Sequence, residues 1–264
     1  CKILHPARAA ADGIEAAFLA RAGMTGPEHI FEAKDGGLRT AMSDGGAISQ
    51  LSQGLGEVYE ILNMDMKPYP CCRSAHCAID GMLQIREQME TRLGLKIRNI
   101  SEAEILAEQI QAIEIDTYLV GYKQCAVSDG CLHPKTVLDA KFSTPYSAAA
   151  AFLYGTVGME QFEPEVVFDP AVQNLLERVT VHPADRFTEQ YPKHWGCHVK
   201  VTMQDGTVYE VEVKDPSGSV ARPLSREQAM KKAEEFLSVV CPGRETEMIE
   251  ELLNLESRNM LPSI

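Results

Sequence analysis

Long hydrophobic runs are missing from this sequence of 264 residues, and its charges are strongly one-sided. No eighteen consecutive residues are apolar, so the sequence contains no candidate transmembrane helix. The 25 lysines and arginines are outnumbered by 38 aspartates and glutamates, which gives a formal net charge of −13. An acidic surface repels nucleic acid and anionic lipid, so we expect neither as the main partner. The 45% share of hydrophobic residues is typical of a folded protein with one large or two smaller domains.

The sequence also has few cysteines and histidines at the spacing that is typical of metal ligands. Of the eight cysteines, only Cys71, Cys72 and Cys77 lie close together, with His76 between them. A second CxxC-type pair is missing, so a zinc or iron–sulfur site is the weaker interpretation and we expect no metal. Free thiols in a reducing compartment are favoured over a disulfide framework, and we expect a cytoplasmic protein.

The first residues of the chain predict that a segment is missing before them. It opens with Cys1 and Lys2 rather than methionine, and a helical pattern begins at Pro6 with no element before it to pack against. We expect a chain that is processed, truncated or given only in part, with a missing N-terminal segment against which this helix packs.

Hydrophobic periodicity predicts helices at both ends of the chain and a mixed middle. Helices are predicted over residues 6–22, 27–34, 74–91, 147–157, 169–177, 224–240 and 245–255. Residues 101–109 fit either a short helix or an acidic loop. Strands are predicted over part of 56–66, over 110–118 and 179–182, and as a hairpin over 195–213 that turns at Asp205-Gly206. This order predicts an α+β fold.

The most distinctive local feature is a basic corner that contains two prolines, Pro68 and Pro70. Lys67, Arg73 and His76 fall within ten residues, where a helix begins. Cations beside the free N–H groups and positive dipole end of a helix are well suited to bind a carboxylate. The pattern fits an anion-binding site, and it also fits a solvated basic turn.

Several stretches, taken together and in order, resemble the MmgE/PrpD family, which contains 2-methylcitrate dehydratase, cis-aconitate decarboxylase and iminodisuccinate epimerase. The strongest is Lys67-Pro68-Tyr69-Pro70-Cys71-Cys72-Arg73-Ser74-Ala75-His76. The other matching stretches are 2–10, 13–20, 23–27, Asp139-Ala140-Lys141-Phe142-Ser143-Thr144-Pro145-Tyr146, the Asp205-Gly206 hairpin and 222–236.

The resemblance implies an all-helical body, partly missing at its N-terminus, with an inserted α+β lid domain and an active site in the cleft between them. In this sequence we expect part of the body over 1–66, the lid over 67–220, and helices returning to the body over 221–264. The resemblance also implies a homodimer, small di- or tricarboxylate substrates, no cofactor, and further active-site groups in a half that these residues do not contain.

Candidate site residues follow from the same motifs. Lys2 and Lys67 are expected to bind substrate carboxylates, and Lys67 to exchange protons as well. Arg73 is a bidentate carboxylate clamp or a member of a surface salt bridge. His76 is an acid/base group or merely holds the corner. Tyr122 donates to the substrate or packs within the lid.

The functional hypothesis is a cofactor-independent lyase of the dehydratase type that acts on a small polycarboxylate such as 2-methylcitrate. An epimerase or decarboxylase of the same family is the alternative, because one anion clamp and one base serve all three reactions. A non-catalytic fragment or associating subunit is the interpretation from a different class. Cys71 and Cys72 are expected to be packing positions rather than nucleophiles.

Overall fold

The computed structural model describes residues 4–257, and Lys2 therefore lies outside the described residues. The chain divides into two compact units between Leu62 and Asn63, a few residues before the predicted domain boundary at 66/67. Within residues 4–257, no helix is long and apolar enough to cross a bilayer.

The first unit contains helix α1 (Leu4–Arg21) and the short helix α2 (Leu38–Met42). The helix predicted over 6–22 is confirmed by α1, which ends in a turn at Gly23, where φ is +96°. The helix predicted over 27–34 is wrong. These residues form turns, since one bond from Ala33 N to His29 O closes a single turn before the Gly36-Gly37 pair interrupts the pattern.

The strand predicted within 56–66 is also wrong. That segment forms a 3₁₀ helix at Glu60–Asn63 and no strand. Gly54 and Gly56, with φ of +70° and +83°, turn the chain just before it. A strand also needs a paired neighbour, and none of the described strands pairs with this segment.

The second unit is built on a four-stranded mixed sheet, and this mixture of helices with one sheet makes the protein an α+β fold. Its strands are β1 (Ile110–Thr117), β2 (Val179–Pro183), β3 (Cys197–Met203) and β4 (Val208–Val213), in the order β2-β1-β3-β4. β1 runs parallel to β2 and antiparallel to β3, and β3 and β4 form an antiparallel hairpin. The strand predictions for 110–118, 179–182 and the hairpin are confirmed.

Helices cover one face of the sheet. The helices of the second unit are α3 (His76–Leu93), α4 (Ile100–Glu108), α5 (Leu119–Cys125), α6 (Asp129–Leu132), α7 (Val137–Lys141), α8 (Thr144–Tyr154), α9 (Pro164–Val167), α10 (Pro170–Leu176), α11 (Asp185–Thr188), α12 (Arg226–Val240) and α13 (Glu245–Leu253).

Alternation along the strands decides which side chains face the core. Ile113, Ile115, Val199 and Val201 are fully buried, and α3 packs against β3 and β4 on this face. Residues between them carry charge on the opposite face, where Lys200 Nζ lies 2.7 Å from Glu114 Oε2. The buried face therefore supports α3, whose N-terminus carries the basic corner.

α8 lies beside α3 in the core. Its residues Thr144–Leu153 are all buried, because a run of alanines allows neighbouring helices to approach closely. The helix starts earlier than the predicted 147–157, since the Ser143 side chain accepts a hydrogen bond from Tyr146 N and Pro145 suits a first turn.

Candidate active site

The basic corner is anchored at both ends by backbone hydrogen bonds. Met66 N donates to Gly218 O over 2.7 Å, and Cys72 N donates to Lys141 O over 2.8 Å. Gly218 is required for the first contact, because its φ is +74° and a Cβ there would lie 1.8 Å from Met66 O. A 3₁₀ turn at Arg73–Ala75 then leads directly into α3.

The imidazole of His76 is fully buried at the start of α3. Its Nδ1 lies 3.1 Å from Arg73 Nη1, and its ring meets Tyr69 edge-on at 5.1 Å between centroids. Burial, followed by the charges of Arg73 and Lys67, lowers the pKa of His76 to about 3. The ring is therefore neutral at physiological pH.

The tautomer of His76 follows from its neighbour. A guanidinium can only donate, so Nδ1 must accept from Arg73 and Nε2 carries the proton. Nε2 is buried and has no hydrogen-bond partner among the described residues, although the backbone of Cys71 near the ring opposes the lowering of its pKa. His76 thus presents an unused N–H donor and no free lone pair.

Arg73 is committed to holding neighbouring segments together. Besides His76, its Nη1 donates to Ser217 O over 2.8 Å, and its Nη2 donates to Asp65 Oδ2 over 2.9 Å. Its Nε is buried without a partner in the described part of the chain. Both terminal nitrogens are engaged within the protein, so Arg73 acts here as a structural brace; direct substrate binding by Arg73 stays a prediction.

Two lysines lie near His76 with little to neutralise them. Lys67 is exposed, and its Nζ donates to Cys71 O over 3.2 Å. Lys232 on α12 is partly buried, and its charge acts on His76 as well as on Lys67. Burial lowers the pKa of Lys232, Lys67 lowers it further, and Glu235 opposes the change. Among residues 4–257, neither ammonium has a carboxylate within 4.0 Å.

The pKa values of the two adjacent cysteines of the corner are shifted in opposite directions. Burial raises the pKa of Cys71 to about 12. The pKa of Cys72 is lowered to about 5, chiefly by a hydrogen bond from the Cys125 thiol, with further help from Ser74 and Lys67 and against the effect of burial. The surroundings of Cys72 therefore favour its ionised form, whereas those of Cys71 favour the neutral thiol.

The buried carboxylate of Asp80 connects the segments that form the basic corner. Asp80, one turn along α3, accepts from Tyr69 Oη over 2.6 Å, from Ser217 N over 2.7 Å and from Arg222 Nη1 over 3.0 Å. These bonds connect the proline segment, α3 and the loop that precedes α12. Asp80 therefore positions the residues that surround His76.

Other predicted residues are less closely connected to this cluster. Tyr122 lies in α5; it is half-buried against the core, and α5 contacts the Arg73–Ala75 turn. The metal alternative finds no support within residues 4–257, where no three His, Cys, Asp or Glu side chains form a metal-binding group. The pKa of Cys72 is influenced chiefly by another thiol, that of Cys125, and burial followed by Cys197 raises the pKa of Cys77.

Comparison with known proteins identifies the lineage. The MmgE/PrpD C-terminal domain matches residues 69–256, and the MmgE/PrpD N-terminal domain matches residues 1–50. The chain belongs to the MmgE/PrpD family. Residues 69–256 include His76, Cys72, Asp80 and Lys232, so most of the cluster lies within the family's C-terminal domain.

Individual relatives are distant. A cis-aconitate decarboxylase-like protein of Aspergillus oryzae is 25% identical over 97% of this chain and 52% of its own length. Cis-aconitate decarboxylase of Mus musculus is 26% identical over 88% of this chain and 44% of its own length. Mitochondrial 2-methylcitrate dehydratase of Yarrowia lipolytica is 24% identical over 78% of this chain and 38% of its own length. The chain thus spans about half the length of the curated relatives it matches, or less.

Proposed function

We propose that the protein is a cofactor-independent lyase of the dehydratase type, acting on a small di- or tricarboxylate such as 2-methylcitrate. The observation that carries this proposal is the concentration of positive charge around a neutral, buried histidine. Lys67, Arg73 and Lys232 surround His76, and of the three only Arg73 has a carboxylate partner among the described residues. In a chain of net charge −13, such a cluster supports binding of a polyanion.

The start of α3 adds to this attraction. No side chain caps its N-terminus, and its first turn contains no acidic residue. The helix dipole therefore reinforces the lysines, and the nearby carboxylate of Asp80 is already bonded to Tyr69, Ser217 and Arg222. Lys67 and Lys232 are assigned to two carboxylates of the substrate, and Arg73 to holding the His76 ring in place.

Dehydration needs a base for a carbon-bound proton and an acid for the departing hydroxyl. Cys72 is the base in this proposal, because its surroundings lower its pKa and His76 has no free lone pair. Negative charge that develops on the substrate carboxylate is stabilised by Lys67, and the Nε2–H of His76 donates a hydrogen bond to the substrate. Lys232, whose pKa is lowered, protonates the hydroxyl as water leaves.

The proposal retains the expectations that no described residue tests. Lys2 and Tyr122 are assigned further substrate contacts, and the protein is assigned a homodimeric state in the cytoplasm. The lid role of residues 67–220 belongs to the same proposal.

The direct test incubates the full-length protein with 2-methylcitrate, cis-aconitate and an iminodisuccinate source, and follows the products by chromatography. We expect 2-methylcitrate to lose water. Release of carbon dioxide from cis-aconitate would show that the protein is a decarboxylase rather than a dehydratase. Epimerisation without loss of mass would show that it is an epimerase. Turnover of none of the three would overturn the substrate class.

Matched variants connect the activity to the cluster. Lys232→Met should reduce kcat/KM by about 10²-fold or more, because it removes both a carboxylate partner and the proposed proton donor. Lys231→Met, an exposed neighbour on the same helix, should retain wild-type kinetics. Equal losses in the two variants would mean that α12 contributes stability rather than a catalytic group.

A further inference from the structure

A histidine and an aspartate outside the basic corner form a close pair at one end of the sheet. His194 precedes β3 and Asp215 follows β4, and the antiparallel hairpin brings these two ends together. His194 Nδ1 lies 2.9 Å from Asp215 Oδ1 and 3.1 Å from Oδ2. A carboxylate can only accept, so Nδ1 donates to it. The side chains are 20% and 16% exposed, so water competes little for this bond.

The loop 215–218, which begins with Asp215, reaches the basic corner at Ser217. The carbonyl oxygen of Ser217 accepts from Arg73 Nη1 over 2.8 Å, and the same nitrogen lies 3.1 Å from His76 Nδ1. One guanidinium nitrogen is therefore aimed by two acceptors, one in the loop and one in α3. A shift of the loop would change the direction in which this nitrogen approaches the imidazole.

The two ends of the loop are held by different parts of the protein. At its far end, Gly218 O accepts from Met66 N over 2.7 Å, and Ser217 N donates to Asp80 Oδ2 over 2.7 Å. These bonds connect the loop to the corner and to α3. At its near end, the bond from His194 connects the loop to the start of β3. That bond therefore fixes the direction in which the chain leaves β4.

The turn 191–195, which carries His194, packs against a buried ring. Tyr191 stacks on Tyr118 with 4.7 Å between the ring centroids. Trp195 meets the rings of Tyr191 and Tyr118 edge-on, at 5.3 and 5.7 Å between centroids. Tyr118 is fully buried. Because this packing holds the turn in place, the His194 side chain provides a fixed point to which the loop can be attached.

We propose that His194 is a positioning residue of the candidate active site. Its bond to Asp215 holds the loop 215–218 in place. The carbonyl oxygen of Ser217 in that loop then aims Arg73 at His76. His194 makes no contact with the substrate; it acts by keeping the imidazole of the corner as the Nε2–H tautomer. This inference rests on the proposed function for its effect on turnover, whereas its effect on the ring is independent of the reaction.

The test replaces His194 in the full-length protein with three side chains. Asparagine places its amide nitrogen close to the position of Nδ1, so His194→Asn retains the bond to Asp215. His194→Ala removes the bond. His194→Phe also removes it but keeps a ring in the same space, which provides a folded variant if the alanine variant does not fold. The matched control is His182→Ala, since His182 is an exposed histidine at the end of β2.

The first measurement records the ring nitrogens of His76 by NMR at neutral pH. The wild-type protein, His194→Asn and His182→Ala should show the Nε2–H tautomer. His194→Ala and His194→Phe should show exchange between the two neutral tautomers. A role in stability alone would leave the ring unchanged in the folded protein. An unaltered tautomer in both variants that lack the bond, or failure of His194→Asn to preserve it, would overturn the proposal.

The second measurement follows steady-state kinetics on the substrate that the protein turns over. Loss of the bond should lower kcat and kcat/KM together by about 10²-fold, because a small displacement of a positioned group costs about that much. His194→Asn and His182→Ala should keep wild-type kinetics. A rise in KM with kcat unchanged would overturn the proposal, since it would place His194 in substrate binding. If 2-methylcitrate, cis-aconitate and iminodisuccinate all remain unchanged, the proposed function fails and the NMR result alone decides the positioning role.

Discussion

Arg73 Nη1 donates to Nδ1 of His76 over 3.1 Å, and this contact fixes the imidazole as the neutral Nε2–H tautomer. Because the same nitrogen also donates to Ser217 O, the contact links α3 to the loop that precedes α12. A positive charge held against a buried imidazole disfavours its protonation. The pair therefore makes His76 a fixed hydrogen-bond donor rather than a proton shuttle.

The first prediction concerns acid stability. The folded pKa of His76, about 3, lies below its ordinary value of 6.5, so the unfolded chain binds one more proton between these pH values. Stability from this group is fully present above pH 6.5 and is lost as the pH falls towards 3, by up to about 1.4 kcal/mol per pH unit. In urea titrations from pH 4 to 7, His76→Gln should show a correspondingly shallower dependence.

The matched control is His133→Gln, since His133 is exposed and outside the corner. It should reproduce the wild-type dependence of unfolding free energy on pH. In the wild-type protein, NMR signals of the His76 ring should remain those of the Nε2–H tautomer down to pH 4. An unchanged pH slope in His76→Gln, or an imidazolium at pH 5, would contradict the assignment.

The second prediction separates activity from stability at Lys67. Its ammonium is exposed and makes one hydrogen bond, to Cys71 O. Lys67→Ala should change the free energy of unfolding by less than about 1 kcal/mol, because exposed polar contacts contribute little. It should reduce kcat/KM by about 10²-fold or more if Lys67 stabilises a developing carboxylate charge. Lys96→Ala, another exposed lysine, is the control, and a large loss of stability with full activity retained would argue against this role.

Much of this fold could be predicted from the sequence, because the patterns that specify its helices, strands and turns are local. Alternation of Ile113 and Ile115 predicts a half-buried strand, and Asp205-Gly206 predicts the hairpin turn. A capping box also marks the start of the helix predicted over 224–240, since Ser225 and Gln228 exchange side-chain and backbone bonds. Each of these features depends on residues only a few positions apart.

The charges and pKa values at the basic corner could not be predicted from the sequence in the same way. Lys232 is far from Lys67 in sequence, and only the packing of α12 brings its charge close to His76. Cys71 and Cys72 are adjacent and chemically identical, yet burial raises the pKa of one and a bond from Cys125 lowers that of the other. Charge and burial at these sites are set by tertiary neighbours that a linear pattern does not specify.

The third prediction concerns the buried carboxylate of Asp80. Asp80→Ala leaves Tyr69 Oη, Ser217 N and the Arg222 guanidinium without their shared acceptor. Loss of such a partner should lower the free energy of unfolding by about 3–5 kcal/mol, measured by urea denaturation. Glu87→Ala, at an exposed position of the same helix, should change it by less than about 0.5 kcal/mol. A similarly small effect at Asp80 would mean that water replaces the carboxylate without loss.

The last prediction concerns the close approach of α3 to the sheet at Gly81. A Cβ at this position would lie 2.7 Å from Val199 Cγ2 and 3.3 Å from Val199 Cβ, inside van der Waals contact. Gly81→Ala should therefore destabilise the protein by about 1–2 kcal/mol, since overpacking of about 1–3 kcal/mol outweighs a helix-propensity gain of up to about 1 kcal/mol. In a Val199→Ala background the obstructing methyl groups are absent, so the same change should be neutral or stabilising. Equal effects in both backgrounds, measured in a double-mutant cycle, would show that the contact with β3 does not require glycine.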